Sequence, residues 1–257
     1  MEKPSVKKNF VYNIIYQLLA IVVPLITSPY ISRVLGADMI GVHSWTHSVV
    51  FYFMIFALLG VSNYGNRSIA AARAAGDPSE AFCSIYACQL ISSAAMVLLY
   101  VLYLVLFPVK YPLIAGLQIF FVLSSALDVT WFFNGLEEFR ITVIRSCAVR
   151  LAGLAGIFIF VRTADDLWKY TLIVSGTTFL GSVLLWPPLL RRVRLTIPKP
   201  SQLVPHIKPI LVLFLPVLCI SIFANMDKYM IGRMSTITES GFYENTDKII
   251  GIPKAVI

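Results

Sequence analysis

Several charged side chains of this sequence lie inside long apolar stretches, where they are able to bind a charged ligand or to move an ion. Arg150 lies near the middle of one such stretch. Arg145 lies about five residues from the inner end of the same stretch, and Asp128 about five residues from the inner end of the preceding one, so a rise of ~1.5 Å per residue places both at one depth. An ionisable group in an apolar medium is costly unless it is paired or faces water. We therefore predict that Asp128 and Arg145 form an ion pair, either structural or for ion coupling, and that Arg150 faces a wet cavity.

A second group of polar residues lies near the end of the chain. Asp227 is adjacent to a polar helical face and has the same depth as Asp247 and Lys248 of the next apolar segment. This arrangement predicts crossed pairing, of Asp227 with Lys248 or of Lys228 with Asp247, with a direct transport role as the alternative. The polar face consists of Ser221, Asn225 and Lys228.

The first apolar stretch also has one polar face, because its polar residues recur at spacings of three, four or seven. Asn13 and Gln17 lie on this face, which should contact protein or water. Together with the residues above, they complete the predicted substrate-binding set: Arg150, Arg145, Lys228, Asn225, Gln17 and Asn13.

Metal and disulfide chemistry are not indicated by the sequence. His43 and His47 are spaced like a metal-binding pair, but no third ligand stands near them, so an interfacial role is favoured. The four cysteines lie in apolar runs, where a thiol behaves as a small hydrophobic group. We predict no metal, no cofactor and no disulfide.

The composition defines the elements that must position these side chains. Hydrophobic residues make up 58% of the chain, charged residues 13%, and the mean hydropathy is +0.80. Apolar windows of about 20 residues match the thickness of a bilayer, so the sequence predicts an all-α polytopic membrane protein. The net charge of +8 comes mainly from cations between the spans. Their distribution predicts a cytosolic N-terminus and disfavours binding to nucleic acid.

The order of segments along the chain predicts six spans, a basic linker and the beginning of a second lobe. Residues 1–190 form a six-helix lobe, residues 191–209 a cytosolic linker, and residues 210–257 the first one to two helices of a second, pseudo-symmetric lobe. A weak repeat supports the second lobe, because Gly41 and its neighbours recur 200 positions later. The recurring residues are Ile31, Arg33, Gly41 and His43, which correspond to Ile231, Arg233, Gly241 and Tyr243. The spans are predicted at 10–31, 40–63, 82–107, 112–133, 141–161, 167–190 and 210–234, with an eighth from 241.

Several segments resemble a known family along essentially the whole chain. They are SPYISRVLGADMIGVHSWTHSVVFYFMIFALLGVSNYGNRSIA, WFFNGLEEFR, DDLWKY, NMDKYMIG and GFYENTDKIIGIPKAVI. They are similar to Wzx-type polysaccharide exporters, the lipid-linked oligosaccharide flippases of the superfamily that also contains drug exporters. Family members continue for several further helices, so we expect this chain to be a C-terminally truncated fragment.

The resemblance implies a transporter rather than an enzyme, with two lobes that alternate between inward and outward openings. Its substrate would be undecaprenyl diphosphate carrying an oligosaccharide, moved from the cytosolic to the outer leaflet of the bacterial plasma membrane for surface polysaccharide assembly. A proton or Na⁺ is the candidate coupling ion, and Asp128, Asp227 or His47 would bind it. Asp128, Asp227, Asp247 and Lys248 are the residues predicted to form coupling or structural ion pairs.

Three alternatives remain open at this point. A drug exporter of the same superfamily would need acidic rather than basic cavities. An inactive truncated subunit would retain the spans without the second lobe. A membrane polymerase would need carboxylates or histidines on long loops, and the outer loops here are short.

Overall fold

The computed structural model describes the backbone of residues 6–256 and the side chains of residues 14, 17–248, 250 and 251. This part of the chain contains twelve α-helices and a short 3₁₀ helix, Ala164–Asp166, and no strand. In chain order the α-helices are α1 (Val6–Val34), α2 (Gly36–Leu58), α3 (Val61–Ala75), α4 (Ser79–Leu106), α5 (Pro112–Leu117), α6 (Ile119–Leu127), α7 (Thr130–Gly135), α8 (Phe139–Phe160), α9 (Leu167–Val183), α10 (Trp186–Leu190), α11 (Pro200–Met234) and α12 (Ile237–Val256).

Seven helical segments of the described chain are long and apolar enough to cross a membrane. The all-α polytopic fold class is confirmed. Three spans combine several helices: α2 with α3, α5 with α6 and α7, and the 3₁₀ helix with α9 and α10. The predicted eighth segment forms α12 but is not one of the seven, because charged residues such as Glu239, Glu244 and Asp247 lower its hydropathy.

Two boundaries differ from the sequence prediction. The second span was predicted to end at residue 63, but α3 continues it as a helix from Val61 to Ala75. The backbone between α2 and α3 is left-handed at Leu59 and Gly60, and a Cβ at Gly60 would press on the backbone of α11. Helix α11 begins at Pro200, ten residues earlier than predicted, because its prolines are accommodated within the helix.

The fourth span is broken, although the sequence predicts a continuous helix over 112–133. Helix α5 ends before Gln118, and α6 ends at Leu127, after which the backbone of Asp128 is extended. Gln89 of α4 supports the second break, since its amide nitrogen donates to the carbonyls of Ser125 (2.7 Å) and Asp128 (2.9 Å), and its oxygen accepts from Trp131 (2.9 Å). A broken helix at membrane depth is tolerated where protein groups satisfy the freed backbone.

Helices α2 and α12 cross in close contact at Gly41 and Gly241. A Cβ at Gly41 would overlap the Ile237 carbonyl, and a Cβ at Gly241 would overlap that of Ala37. Hydrogen bonds join positions that are 200 apart on the two helices, from Ser44 to Glu244 (2.9 Å) and from Thr238 to Asp38. The 200-residue repeat in the sequence therefore corresponds to two helices that pack against each other at equivalent positions.

Candidate ligand cavity

A cavity of about 510 Å³ lies among α1, α2, α6, α8 and α9. Arg145 and Arg150 of α8 line it, and Lys248 of α12 also reaches its wall. The remaining charged group is Asp128, so cations exceed anions in the lining. We call this space the main cavity; its neutral polar lining is formed by Thr27, Ser124, Ser125, Thr130, Ser146, Tyr170, Thr177, Thr178 and Ser182.

Small residues allow α8 and α9 to approach each other closely. Ala148, Ala152 and Gly156 recur every four residues on α8, a spacing that favours close helix packing in membranes. In the structure, a Cβ at Gly156 would lie 3.3 Å from Ile173 of α9. On α9 itself, a Cβ at Gly181 would lie 3.2 Å from the Arg145 guanidinium. An added Cβ at position 181 would therefore require a small shift of the Arg145 guanidinium.

Asp128 and Arg145, predicted to pair, are brought together through a third side chain. Arg145 donates to the Thr130 hydroxyl at 3.1 Å, and that hydroxyl donates to the Asp128 carboxylate at 2.5 Å. The Thr130 backbone N–H also donates to Asp128, at 3.0 Å. Because Asp128 and Thr130 flank the break between α6 and α7, the network is available only where the fourth span is interrupted.

A second space of about 440 Å³ adjoins the main cavity, and we call it the side chamber. The two share Asp128, Thr130, Arg145 and Ser146, so these residues form the boundary between them. The other residues that line the side chamber are Ser62, Asn63, Asn66, Trp131, Asn134, Phe139, Thr142 and Val143. Its lining is thus rich in amides and hydroxyls, contributed by α3, α7 and α8.

A cluster of four charged residues connects α11 and α12, and we call it the charge cluster. The Glu244 carboxylate lies 2.9 Å from Lys228 and 3.2 Å from Lys248, and it accepts from Ser44 of α2. Lys228 also contacts Asp247 at 2.8 Å, which is one of the two crossed pairs considered from the sequence. Sequence reasoning missed Glu244, although its spacing of four from Lys248 is a recognised helical pair.

The other crossed pair is not formed. Asp227 accepts a hydrogen bond from Tyr243 at 2.9 Å, while Lys248 is engaged by Glu244. Of the two alternatives predicted, the structure therefore contains the Lys228–Asp247 pair and not the Asp227–Lys248 pair, because Glu244 lies on the same helix as Lys248 and is better placed to reach it.

Several predicted ligand residues lie outside both cavities. Lys228 is held in the charge cluster, and Asn225 donates to the Ser221 carbonyl within α11 at 3.5 Å. Gln17 is exposed on α1 and lines neither space. The side chain of Asn13 lies outside the described residues.

The two histidines of α2 hold neighbouring helices. His43 Nδ1 lies 3.1 Å from the Thr171 hydroxyl of α9, and the Gln118 amide donates to the His43 carbonyl at 3.2 Å. The ring of His47 packs edge-on against Phe121 with centroids 4.8 Å apart. These contacts connect α2 to α9 and to the first break of the fourth span.

The helices and the cation-lined cavity define a multi-pass α-helical membrane protein with an internal polar space. The chain belongs to the family described as polysaccharide biosynthesis protein, whose family model matches residues 6–257. This confirms the family assignment that the sequence motifs predicted.

Two curated relatives carry the same printed name, "Putative O-antigen transporter". The one from Escherichia coli (strain K12) is 24% identical over 188 residues, which cover 71% of this chain and 45% of the relative. The one from Shigella dysenteriae is 23% identical over 164 residues, which cover 63% of this chain and 41% of the relative. The chain thus spans less than half the length of these relatives. No solved structure matches it significantly.

Proposed function

We propose that the protein containing this chain transports undecaprenyl-diphosphate-linked oligosaccharides from the cytosolic to the outer leaflet of the bacterial plasma membrane, with its N-terminus in the cytosol. The observation that carries the proposal is the main cavity with Arg145, Arg150 and Lys248 in its wall. The family match and the transporter names of the relatives support it.

The cavity has the chemistry that a diphosphate requires inside a membrane. A phosphate group leaving water loses strong hydration, and charge-assisted hydrogen bonds from guanidinium groups replace it. Arg145 and Arg150 lie on one helix, α8, and Lys248 comes from α12, so the ligand would contact two helices that are distant in sequence. A cationic drug would meet repulsion from the same three groups, which disfavours the drug-exporter alternative.

Asp128 has a different part in this proposal. Its carboxylate is linked to Arg145 through Thr130, so a proton or Na⁺ bound at Asp128 would change the electrostatic environment of the arginine. Asp128 is therefore the coupling carboxylate that we propose, whereas Asp227, Asp247 and Lys248 take part in interhelical or intrahelical contacts.

The test uses Arg150→Ala, with Arg150→Lys as the charge-retaining variant and Arg162→Ala, outside both cavities, as the control. Transport is measured in proteoliposomes as exposure of the saccharide to a membrane-impermeant lectin. We expect Arg150→Ala to lower the rate about tenfold, which corresponds to ~1.4 kcal/mol of lost charge-assisted binding, with partial recovery in Arg150→Lys. Unchanged transport by Arg150→Ala, at equal protein levels and Tm, would contradict the proposed role of this arginine.

A complementary cellular measurement addresses the function itself. Cells that lack the gene should accumulate the lipid-linked oligosaccharide on the cytosolic face of the membrane. Normal surface polysaccharide in such cells would exclude the proposed function.

A further inference from the structure

We propose that the side chamber is a saccharide-binding subsite, which holds the sugar residues next to the diphosphate while the phosphates occupy the main cavity. The inference rests on the proposed function. It specifies which part of the ligand binds in each of the two spaces. It assigns a ligand-binding role to Asn63, Asn66 and Asn134.

The chemistry of the lining differs between the two spaces. Three cations line the main cavity, whereas Arg145 is the single cation in the lining of the side chamber and is accompanied there by Asp128. An amide group both donates and accepts hydrogen bonds, as a sugar hydroxyl does, so asparagines suit a neutral hydroxyl-rich ligand. The half-buried ring of Phe139 adds apolar surface for the C–H face of a sugar ring, and the buried Trp131 indole supports the wall behind it.

The three amides are available for a ligand. None of the side chains of Asn63, Asn66 and Asn134 hydrogen-bonds to another residue in the part of the chain that the structure describes. Asn63 and Asn66 are exposed on α3, and Asn134 is half-buried on α7. A ligand in the chamber would therefore exchange water, rather than protein contacts, at these groups.

Close packing of α3 against α7 fixes where these amides lie. Gly65 leaves room for the Trp131 indole, and a Cβ at Gly135 would lie 2.8 Å from the Asn66 carbonyl. Trp131 is itself anchored by its hydrogen bond to Gln89 and by stacking on Phe82, with ring centroids 5.4 Å apart. The amide-bearing walls are thus rigidly supported, as a binding site requires.

The volume and position of the chamber agree with this assignment. Its ~440 Å³ falls within the roughly 300–1,000 Å³ of small-ligand sites. Arg145 stands at the boundary with the main cavity, so a phosphate bound there would direct its glycosyl substituent into the chamber. A single ligand can therefore occupy both spaces without leaving a charged group in the amide-lined part.

The experiment compares two probes on the purified whole protein in nanodiscs. They are undecaprenyl diphosphate and the undecaprenyl-diphosphate-linked repeat unit extracted from the cells that make the protein. We expect the wild type to bind the sugar-bearing probe more tightly. The double variant Asn66→Ala/Asn134→Ala should lose about tenfold in affinity for that probe, from two lost hydrogen bonds, and keep its Kd for the sugar-free probe within about twofold.

Asn245→Ala is the matched control, because Asn245 lines neither space and should leave both affinities unchanged. If the double variant does not fold, the same measurement is made on the single variant Asn63→Ala. Equal affinities for the two probes, or a double variant that binds the sugar-bearing probe like the wild type, would overturn the inference and leave the chamber as a water-filled entrance. If the wild type binds neither probe, the proposed function itself fails.

Discussion

Glu244 is the residue on which the contact of α11, α12 and α2 depends most. Its carboxylate faces Lys228, Lys248 and Ser44 together, and 17% of its side chain is exposed. Among the described side chains, Asp247 forms an ion pair only with Lys228, and 40% of its side chain is exposed. Removing one member of a largely buried ion pair leaves the other charge uncompensated, whereas an exposed pair contributes little.

We predict that Glu244→Gln lowers the free energy of unfolding by about 3 kcal/mol. Asp247→Asn should lower it by less than ~1 kcal/mol, since its pair is more exposed. Both substitutions keep the side-chain shape, so the difference reports charge. The measurement is denaturant unfolding in mild detergent, followed by tryptophan fluorescence. Equal losses in the two variants would show that Glu244 does not hold the cluster.

At the scale of the helix, the crossing of α2 and α12 depends on two glycines. The backbones approach so closely at Gly41 and Gly241 that any Cβ would overlap a carbonyl of the facing helix. Backbone atoms cannot rotate away as the end of a side chain can. An added methyl group must therefore separate the helices, together with the hydrogen bond from Ser44 to Glu244.

We predict that Gly41→Ala and Gly241→Ala each destabilise the protein by about 1–3 kcal/mol, as overpacking does in other cores. The control is Gly176→Ala in α9, where no atom lies within 4 Å of the added Cβ. That control should be neutral or slightly stabilising, because alanine is the better helix former. Thermal unfolding in detergent gives the comparison. A loss of stability in Gly176→Ala as large as in Gly41→Ala would contradict the packing argument.

The membrane spans could be predicted from the sequence, but the breaks within the fourth span could not. Apolar length alone predicts the spans, because a bilayer imposes it on every segment. The breaks in the fourth span were not predictable, because residues 119–134 contain no glycine or proline and the group that supports the second break, Gln89, lies on another helix. The local sequence cannot predict a break that depends on a contact with a residue distant in sequence.

The candidate site was also only partly predictable from the sequence. Arg145, Arg150 and Asp128 stand out because charge inside a span is rare. The asparagines of the side chamber do not, since Asn63 and Asn66 fall in the polar stretch 63–80, which reads as an ordinary surface segment. Only the packing of α3 on α7, through Gly65 and Gly135, brings them to a cavity wall.

At the scale of the whole molecule, the side chamber and the basic stretch 191–199 lie at the same end. Arg192 contacts Glu138, in the turn between α7 and α8, at 2.7 Å. Phe139, the first residue of α8, also lines the chamber. If the positive charges face the cytosol, a saccharide would enter the chamber from the side on which lipid-linked sugars are assembled.

We predict that a cysteine in the basic stretch is labelled from the cytosol and one in the α8–α9 turn from outside. The sites are Ile197, which is 98% exposed, and Asp165, which is also exposed, in a variant without the four native cysteines. With a membrane-impermeant maleimide, Asp165→Cys should react in intact cells and Ile197→Cys only after permeabilisation. The reverse pattern would place the chamber on the outer side, and the proposed direction of transport would then be wrong even if the cavity binds the diphosphate.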